Sequence, residues 1–198
     1  MLAIGLTGSL ASGKSTVAAM FAEAGAAIFN ADAAVHALYA GKAAPLIEAA
    51  FPGTTANGIV DRKKLGARVV GDEAALKQLE KLVHPLVREA DTEFCVSAVA
   101  AGRRVAVIEI PLLFETGGES RFTLVAMVDA PEALRRERYL RRPGATAERF
   151  AALTARQTPD DVKRRGAHFI IDTSGDYAAT RKQVQDVMRA VAGLAAAR

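Results

Sequence analysis

The stretch Gly5-Leu6-Thr7-Gly8-Ser9-Leu10-Ala11-Ser12-Gly13-Lys14-Ser15-Thr16 stands between an apolar run, Leu2 to Leu6, and an Ala-rich helical pattern that follows directly. Gly8, Gly13, Lys14 and Ser15 satisfy G-x-x-x-x-G-K-[ST], the pattern of a phosphate-binding loop, in the strand–loop–helix setting that pattern requires. The spacing has a physical reason. Backbone N–H groups must turn inward around a polyphosphate, and glycines permit the φ > 0 angles and the close backbone approach. The start of the helix adds partial positive charge. Lys14 is expected to reach the β/γ-phosphates and the Ser15 hydroxyl to ligate Mg²⁺. Gly8, Ala11, Ser12, Gly13, Lys14, Ser15 and Thr16 are therefore the expected phosphate-binding residues. The bland alternative is a Gly-rich turn whose lysine is merely solvated.

The 198 residues fit one domain with insertions. A hydrophobic fraction of 51% with 24% charge describes a globular chain rather than a disordered one. No apolar run reaches the ~20 residues of a membrane span, and the first positive charge, Lys14, follows the apolar run, unlike a signal peptide. The single cysteine, Cys95, excludes an internal disulfide and a multi-cysteine metal site. Together these suggest a cytoplasmic protein with no membrane partner. The assembly expected beside them is a monomer or small homo-oligomer. The net charge of +4 implies an anionic partner. Ten of the 26 basic residues lie between Arg135 and Arg165, and such clustering favours a nucleotide over the broad basic face of a nucleic-acid binder.

Outward from the loop, Val17, Met20 and Phe21 give a helical face ended by Gly25, and Ala26 to Phe29 reads as a strand. Asn30-Ala31-Asp32 follows at its carboxyl end, where open α/β sheets bind ligands. Asp32 is placed to face whatever Lys14 holds, or equally to cap a helix over Ala33–Tyr39. Residues 41–60 carry Gly41, Pro45, Pro52, Gly53 and the Asn57-Gly58 turn signal; they show no strand alternation and are expected to form short helical segments. Asp61 to Leu65 looks like a helix start. A helical pattern over Ala74–Ala101 contains His84-Pro85, where a kink or break is expected. Residues 33–95 thus read as a helical insertion, too long for a simple crossover.

Arg104 to Ile110 is the next buried strand. Glu109 at its end, or Glu115 beyond it, is the kind of acid that holds Mg²⁺ through water, and either equally suits a structural ion pair. Thr123 to Val128 is a fourth strand, and Pro131 is expected at the first position of the following helix. There Arg135, Arg138 and Arg142 share a face. Seven positive charges from Arg135 to Arg156 repel one another unless an anion lies between them, which suggests an arginine lid or, equally, a solvated face partly offset by Glu132, Glu137 and Glu148. Ala147 to Arg156 reads as a return helix and His168 to Asp172 as a fifth strand. Five short buried strands separated by helices argue for an α/β fold with a parallel sheet covered on both faces.

Several blocks resemble the dephospho-CoA kinase family almost end to end. They are the loop, Asn30-Ala31-Asp32, Val60-Asp61-Arg62, Leu79-Glu80 with His84-Pro85, and Pro111-Leu112-Leu113-Phe114-Glu115, then Ala130-Pro131-Glu132, Gln157, and Ile171 with Ser174-Gly175. The loop is shared with many nucleotide enzymes, whereas the His84-Pro85 and Pro111–Glu115 blocks are more specific. The resemblance implies a P-loop kinase fold with a five-stranded parallel sheet flanked by helices. Its core would span about 1–32, 96–138 and 161–198, its helical substrate-binding insertion about 33–95, and its lid about 139–160. It further implies ATP and Mg²⁺ as cofactors and dephospho-CoA as the substrate phosphorylated on its ribose 3′-hydroxyl. Asp32 matches the catalytic acid. Lys14, Arg138 and Arg142 would stabilise charge in transfer. Asp32, His84, Pro85, Leu112, Leu113, Phe114 and Glu115 would line the substrate side, and Ser15 with Glu109 would hold the metal. Ser9 and Ala11 stand where that family usually has glycines, and Arg135, Pro143, Leu153, His168 and Thr173 also depart from its usual pattern.

Three other functions compete. Another small-molecule kinase of this fold would act on a nucleoside, sugar or shikimate-like alcohol. A GTPase switch wants an N-K-x-D motif, which the only asparagines, Asn30 and Asn57, do not supply. A nucleic-acid module has no recognisable motif here.

Overall fold

The computed structural model describes residues 1–196. Packing divides the chain into two compact units, one formed by residues 1–29 with 98–198 and the other by Asn30–Ser97.

The first unit is built on a parallel sheet. The opening apolar run forms β1 (Leu2–Gly8), and the loop delivers the chain into α1 (Lys14–Glu23). Strand β2 (Ala27–Asn30) follows, and its carboxyl end opens α2 (Ala31–Tyr39). The second unit continues with α3 (Ala44–Ala50), a hairpin of β3 (Thr55–Ala56) and β4 (Ile59–Val60), α4 (Arg62–Val69) and α5 (Glu73–Ala100). The chain then returns through β5 (Val105–Glu109), a 3₁₀ turn at Glu119–Arg121, β6 (Leu124–Asp129), α6 (Glu132–Leu140) and α7 (Ala147–Thr154). Helix α8 (Asp160–Gly166), strand β7 (Phe169–Asp172) and helix α9 (Tyr177–Ala196) complete it.

The five-stranded sheet has the order β2-β5-β1-β6-β7. Leu6 of β1 is in register with Glu109 of β5, and Gly8 with Val128 of β6. From β1 the chain goes to one side of the sheet and from β5 to the other. Their carboxyl ends therefore flank a topological switch point, where ligands bind in such sheets. Alternation along the strands separates two buried faces. Leu2, Ile4, Leu6, Val105 and Val107 join Val17 and Phe21 of α1 and Val184 and Val191 of α9 in one core. On the opposite face Gly5 is held close: a Cβ there would lie 2.9 Å from the Phe122 ring and 3.1 Å from Leu113.

The helical unit has its own core, with Ile47, Phe51, Val60, Leu65, Leu79 and Val83 buried together. Three local expectations are corrected here. Residues 55–60 form a hairpin rather than helix, turned by Asn57 at φ 53° and Gly58 at φ 76°, the left-handed pair that a tight two-residue turn demands. Helix α5 runs through Pro85 without a break. Proline removes one backbone hydrogen bond, but Leu79, Val83, Leu82, Leu86 and Val87 around it are drawn into the core, and packing overrides propensity. Pro131 takes the N-cap position of α6 with extended ψ of 140°, one residue before the expected place.

Candidate active site

The phosphate loop leaves β1 at Gly8, where a Cβ would meet the Val128 carbonyl oxygen at 2.5 Å and Ser12 Oγ at 2.7 Å, so no larger residue fits without displacement. Ala11 adopts φ 61° and Gly13 φ 93°. The left-handed conformation costs a non-glycine residue about 1–2 kcal/mol, so Ala11 is held there by its surroundings. Gly13 is the N-cap of α1 and brings no side-chain cap. Lys14, Ser15 and Thr16 form the first turn of the helix, the end whose backbone N–H groups favour an anion. Residues 11–16 with Arg142 line a cavity of about 180 Å³.

Beyond it lies a larger cavity of about 380 Å³ that shares Gly13 and Thr16 with the first and is also lined by Arg138, Thr173, Gly175 and Tyr177. Arg138 joins the two. Its Nη2 donates to the Thr173 carbonyl at 2.6 Å and its Nη1 to Thr173 Oγ1 at 3.0 Å. Thr173 Oγ1 in turn donates to the Ser12 carbonyl at 2.7 Å. Arg142 sits over the Tyr139 ring, 5.6 Å from its centroid, with its side chain exposed.

The expected arginine cluster is rearranged by its partners. Arg135 is 1% and Lys163 0% exposed. Arg135 Nη2 pairs with Asp160 at 2.6 Å, and Lys163 with Glu115 at 2.8 Å. Arg141 pairs with Glu137, Arg164 with Asp129 and Arg165 with Asp161. Five of the ten basic residues between Arg135 and Arg165 are thus paired with the protein's own carboxylates, two of them, Arg135 and Arg141, within the run from Arg135 to Arg156, and the buried Arg135 does not share the accessible face of Arg142. Around the loop, Ser9 Oγ donates to Asp160, Lys163 Nζ donates to Ser9 Oγ at 3.2 Å, and Leu10 N donates to Gln157 at 2.9 Å.

Ser15 Oγ donates to Glu109 Oε1 at 3.3 Å, the adjacency created by neighbouring strand ends. A hydroxyl and a carboxylate, both hard oxygen donors, suit Mg²⁺, which completes its shell with water and substrate phosphates rather than with a protein cage. No cluster of three or more His, Cys, Asp or Glu side chains able to hold a metal exists among the described residues. The donor set thus fits Mg²⁺. Glu115 is engaged elsewhere, accepting from Thr158 N at 2.9 Å and pairing with Lys163. Leu113 is fully buried, and Leu112 is 48% exposed. A Cβ on Gly166 would lie 2.5 Å from the Phe114 ring.

In the helical unit, a cavity of about 470 Å³ is lined by Asp32, Val35, His36, Tyr39, Arg62, Leu65, Gly66, Val69 and Leu79. Asp32 does not cap its helix. Asn30, extended at φ −107°, ψ 110°, is the N-cap, and its side chain accepts from Ala33 N at 2.8 Å. Asp32 is an exposed residue of the first helical turn that lines the cavity. Burial pushes the Tyr39 phenol above its ordinary value of 10.0, with the Arg62 guanidinium opposing the shift. His84 is half-buried and Pro85 exposed on α5, and neither lines this cavity.

Sequence reasoning missed Ser9, Asp160, Lys163 and Thr173 as loop contacts and Tyr39 as a lining residue. Only Asp160, directly after Pro159, carried a signal, that of a helix start.

A helix-opening phosphate loop on a parallel sheet, with a carboxylate beside its serine, defines the class: a P-loop enzyme that handles a nucleotide. The dephospho-CoA kinase family model matches residues 2–179, and the chain belongs to that family. Dephospho-CoA kinase of Mesorhizobium japonicum is 54% identical over 193 residues, 98% of each chain, and that of Brucella melitensis is 50% identical, covering 100% of this chain and 98% of the other. Among solved structures, a Thermus thermophilus protein superposes with a TM-score of 0.85 at 32% identity, and dephospho-CoA kinase from Campylobacter jejuni with 0.64 at 26%; each comparison covers 96% of both chains. Shikimate kinase from Acinetobacter baumannii, at 16% identity and a TM-score of 0.56 over 98% of this chain and 94% of its own, shares the fold.

Proposed function

We infer that this chain phosphorylates the ribose 3′-hydroxyl of dephospho-CoA with ATP, giving coenzyme A and ADP, the last step of coenzyme A biosynthesis. The observation that carries this reading is the family match along nearly the whole chain to an intact phosphate loop and its paired Ser15 and Glu109.

The chemistry asked of the protein is positioning and electrostatics. The loop's N–H groups and Lys14 hold the phosphates. The cavity beside Arg138 and Thr173 receives the nucleoside end, and Arg142 neutralises charge as the phosphoryl group transfers. Ser15 and Glu109 would hold Mg²⁺, which when bound neutralises phosphate charge. The helical unit takes the acceptor in the cavity at Asp32, with Tyr39 and Arg62 in its wall. There Asp32 accepts or orients the hydroxyl proton as the oxygen attacks phosphorus. No helix among the described residues is long and apolar enough to cross a membrane. The reading carries with it a cytoplasmic enzyme, a monomer or small homo-oligomer without a nucleic-acid partner.

ADP release from Mg-ATP, measured with and without dephospho-CoA and with the product weighed by mass spectrometry, tests the reading. Release that requires the acceptor, and one added phosphate upon it, is expected. ATP binding without acceptor-dependent turnover would return the choice to other alcohols.

A further inference from the structure

Ser9 lies between two buried ion pairs. Its hydroxyl proton goes to one oxygen of Asp160, whose other oxygen is held by Arg135 at 2.6 Å. Its oxygen accepts from Lys163, which is paired with Glu115 at 2.8 Å. One hydroxyl thereby stitches two cation–carboxylate pairs into a single neutral cluster. Arg135 is further fixed by donating its Nε to the Ala130 carbonyl at 3.1 Å, and Glu115 by accepting from Thr158 N. Next to Ser9, the Leu10 N–H is bound by Gln157, so the start of the loop is fastened to residues 157–163 at two successive positions. The following residue is Ala11, in the left-handed conformation that costs an alanine about 1–2 kcal/mol. Strained backbone persists only where its surroundings over-determine it.

We propose that Asp160 and Lys163 are positioning residues for the phosphate loop: acting through the Ser9 hydroxyl, they hold the loop in its anion-binding shape and so set the affinity for the nucleotide's phosphates without touching them. Both are supplied by α8, where Asp160 is paired with Arg135 and Lys163 with Glu115. Ser9 and both cations are buried and the carboxylates partly so, which makes these hydrogen bonds to charged groups worth more than exposed ones. Removing the hydroxyl leaves both ion pairs intact and frees only the loop.

The proposal rests on nucleotide binding at Lys14, and its test keeps the two apart. Binding of MgADP by calorimetry, thermal midpoints, and KM for ATP and for dephospho-CoA are measured for wild type, Ser9→Ala, Asp160→Asn and the double variant. Ser9→Ala is expected to weaken MgADP and raise KM for ATP about tenfold, with KM for dephospho-CoA and the thermal midpoint nearly unchanged. The double variant should bind MgADP no more weakly than Asp160→Asn, because both changes break one linkage. Asp160→Asn leaves the Arg135 guanidinium buried without its carboxylate and is the variant at risk of not folding; in that event Ser9→Ala alone decides. Unchanged MgADP affinity in Ser9→Ala, or additive losses in the double variant, overturns the support role alone. A wild-type chain that binds no MgADP overturns the loop reading and the proposal together.

Discussion

Arg138 grips Thr173 twice, through its carbonyl oxygen at 2.6 Å and its hydroxyl oxygen at 3.0 Å, while the same hydroxyl donates to Ser12 at 2.7 Å. The threonine thus ties an arginine of α6 to the middle of the phosphate loop. Thr173→Val keeps the shape and deletes the hydroxyl's bonds to Arg138, Ser12 and the Asp129 carbonyl, a loss of about 1 kcal/mol or more. KM for ATP should rise about fivefold to tenfold by steady-state kinetics, and Thr173→Ser should restore most of it. Equal KM values for the valine variant and wild type would remove Thr173 from nucleotide binding.

Lys14 opens α1 within the phosphate cradle. Losing its charge removes stabilisation of the transferring phosphoryl group, so Lys14→Ala should lower kcat about a thousandfold or more. The thermal midpoint should change little, which circular dichroism checks. A near-normal rate would reject the loop assignment.

Asn30 and Asp32 divide two jobs that either residue type can do. Asn30 caps α2, and Asp32 lines the cavity of the helical unit. Asn30→Ala should therefore cost about 1 kcal/mol of stability in denaturant unfolding with kcat nearly intact. Asp32→Asn should reduce kcat about a hundredfold or more, with little effect on ATP binding or stability. Reversed outcomes would exchange the two roles.

Glu109 accepts from the Ser15 hydroxyl. Glu109→Gln keeps a hydrogen-bonding oxygen but loses the charge, and should raise the Mg²⁺ concentration for half-maximal activity about tenfold or more. A titration of rate against Mg²⁺ at fixed ATP reads it, and an unchanged midpoint would place the metal elsewhere.

Glu48 clasps the hairpin, accepting from Gly53 N at 2.7 Å, Thr55 N at 2.9 Å and Thr55 Oγ1 at 2.7 Å. The Gly53 bond, followed by that from Thr55, holds its carboxyl below the ordinary 4.5. A depressed folded-state pKa means that this contribution is fully present above pH 4.5 and is lost as pH falls through the folded value. Amide exchange at Gly53 and Thr55, corrected for its intrinsic pH dependence, should become less protected on acidification below that point. In Glu48→Gln the acid-dependent part should vanish.

The loop, the strands and the long helices were legible because their signals are local. A buried parallel strand is an apolar run, and G-x-x-x-x-G-K-[ST] is contiguous. The hairpin at Thr55–Val60 was not legible beyond its Asn57-Gly58 turn, since two residues per strand are too few to show a period of two. Pro85 misled because its cost as an isolated residue is outweighed by the packing of its neighbours. The support of Ser9 was hidden for another reason: Arg135 and Asp160 lie 25 residues apart, and a buried arginine reads in sequence like a solvated one. At Asp32, composition allowed a cap, and only the extended backbone of Asn30 showed which residue had taken that place.

The chain passes between its two units only at Phe29–Asn30 and at Ser97–Ala98, and each unit closes over its own core. Variation can therefore be inherited separately by the two halves. A substitution near Ile47 or Leu79 falls within the core of the helical unit, where Leu79 also lines the cavity at Asp32. A substitution near Phe21 or Val184 is felt by the sheet that carries the loop. Such a layout lets evolution, or an engineer, vary one core while leaving the other undisturbed.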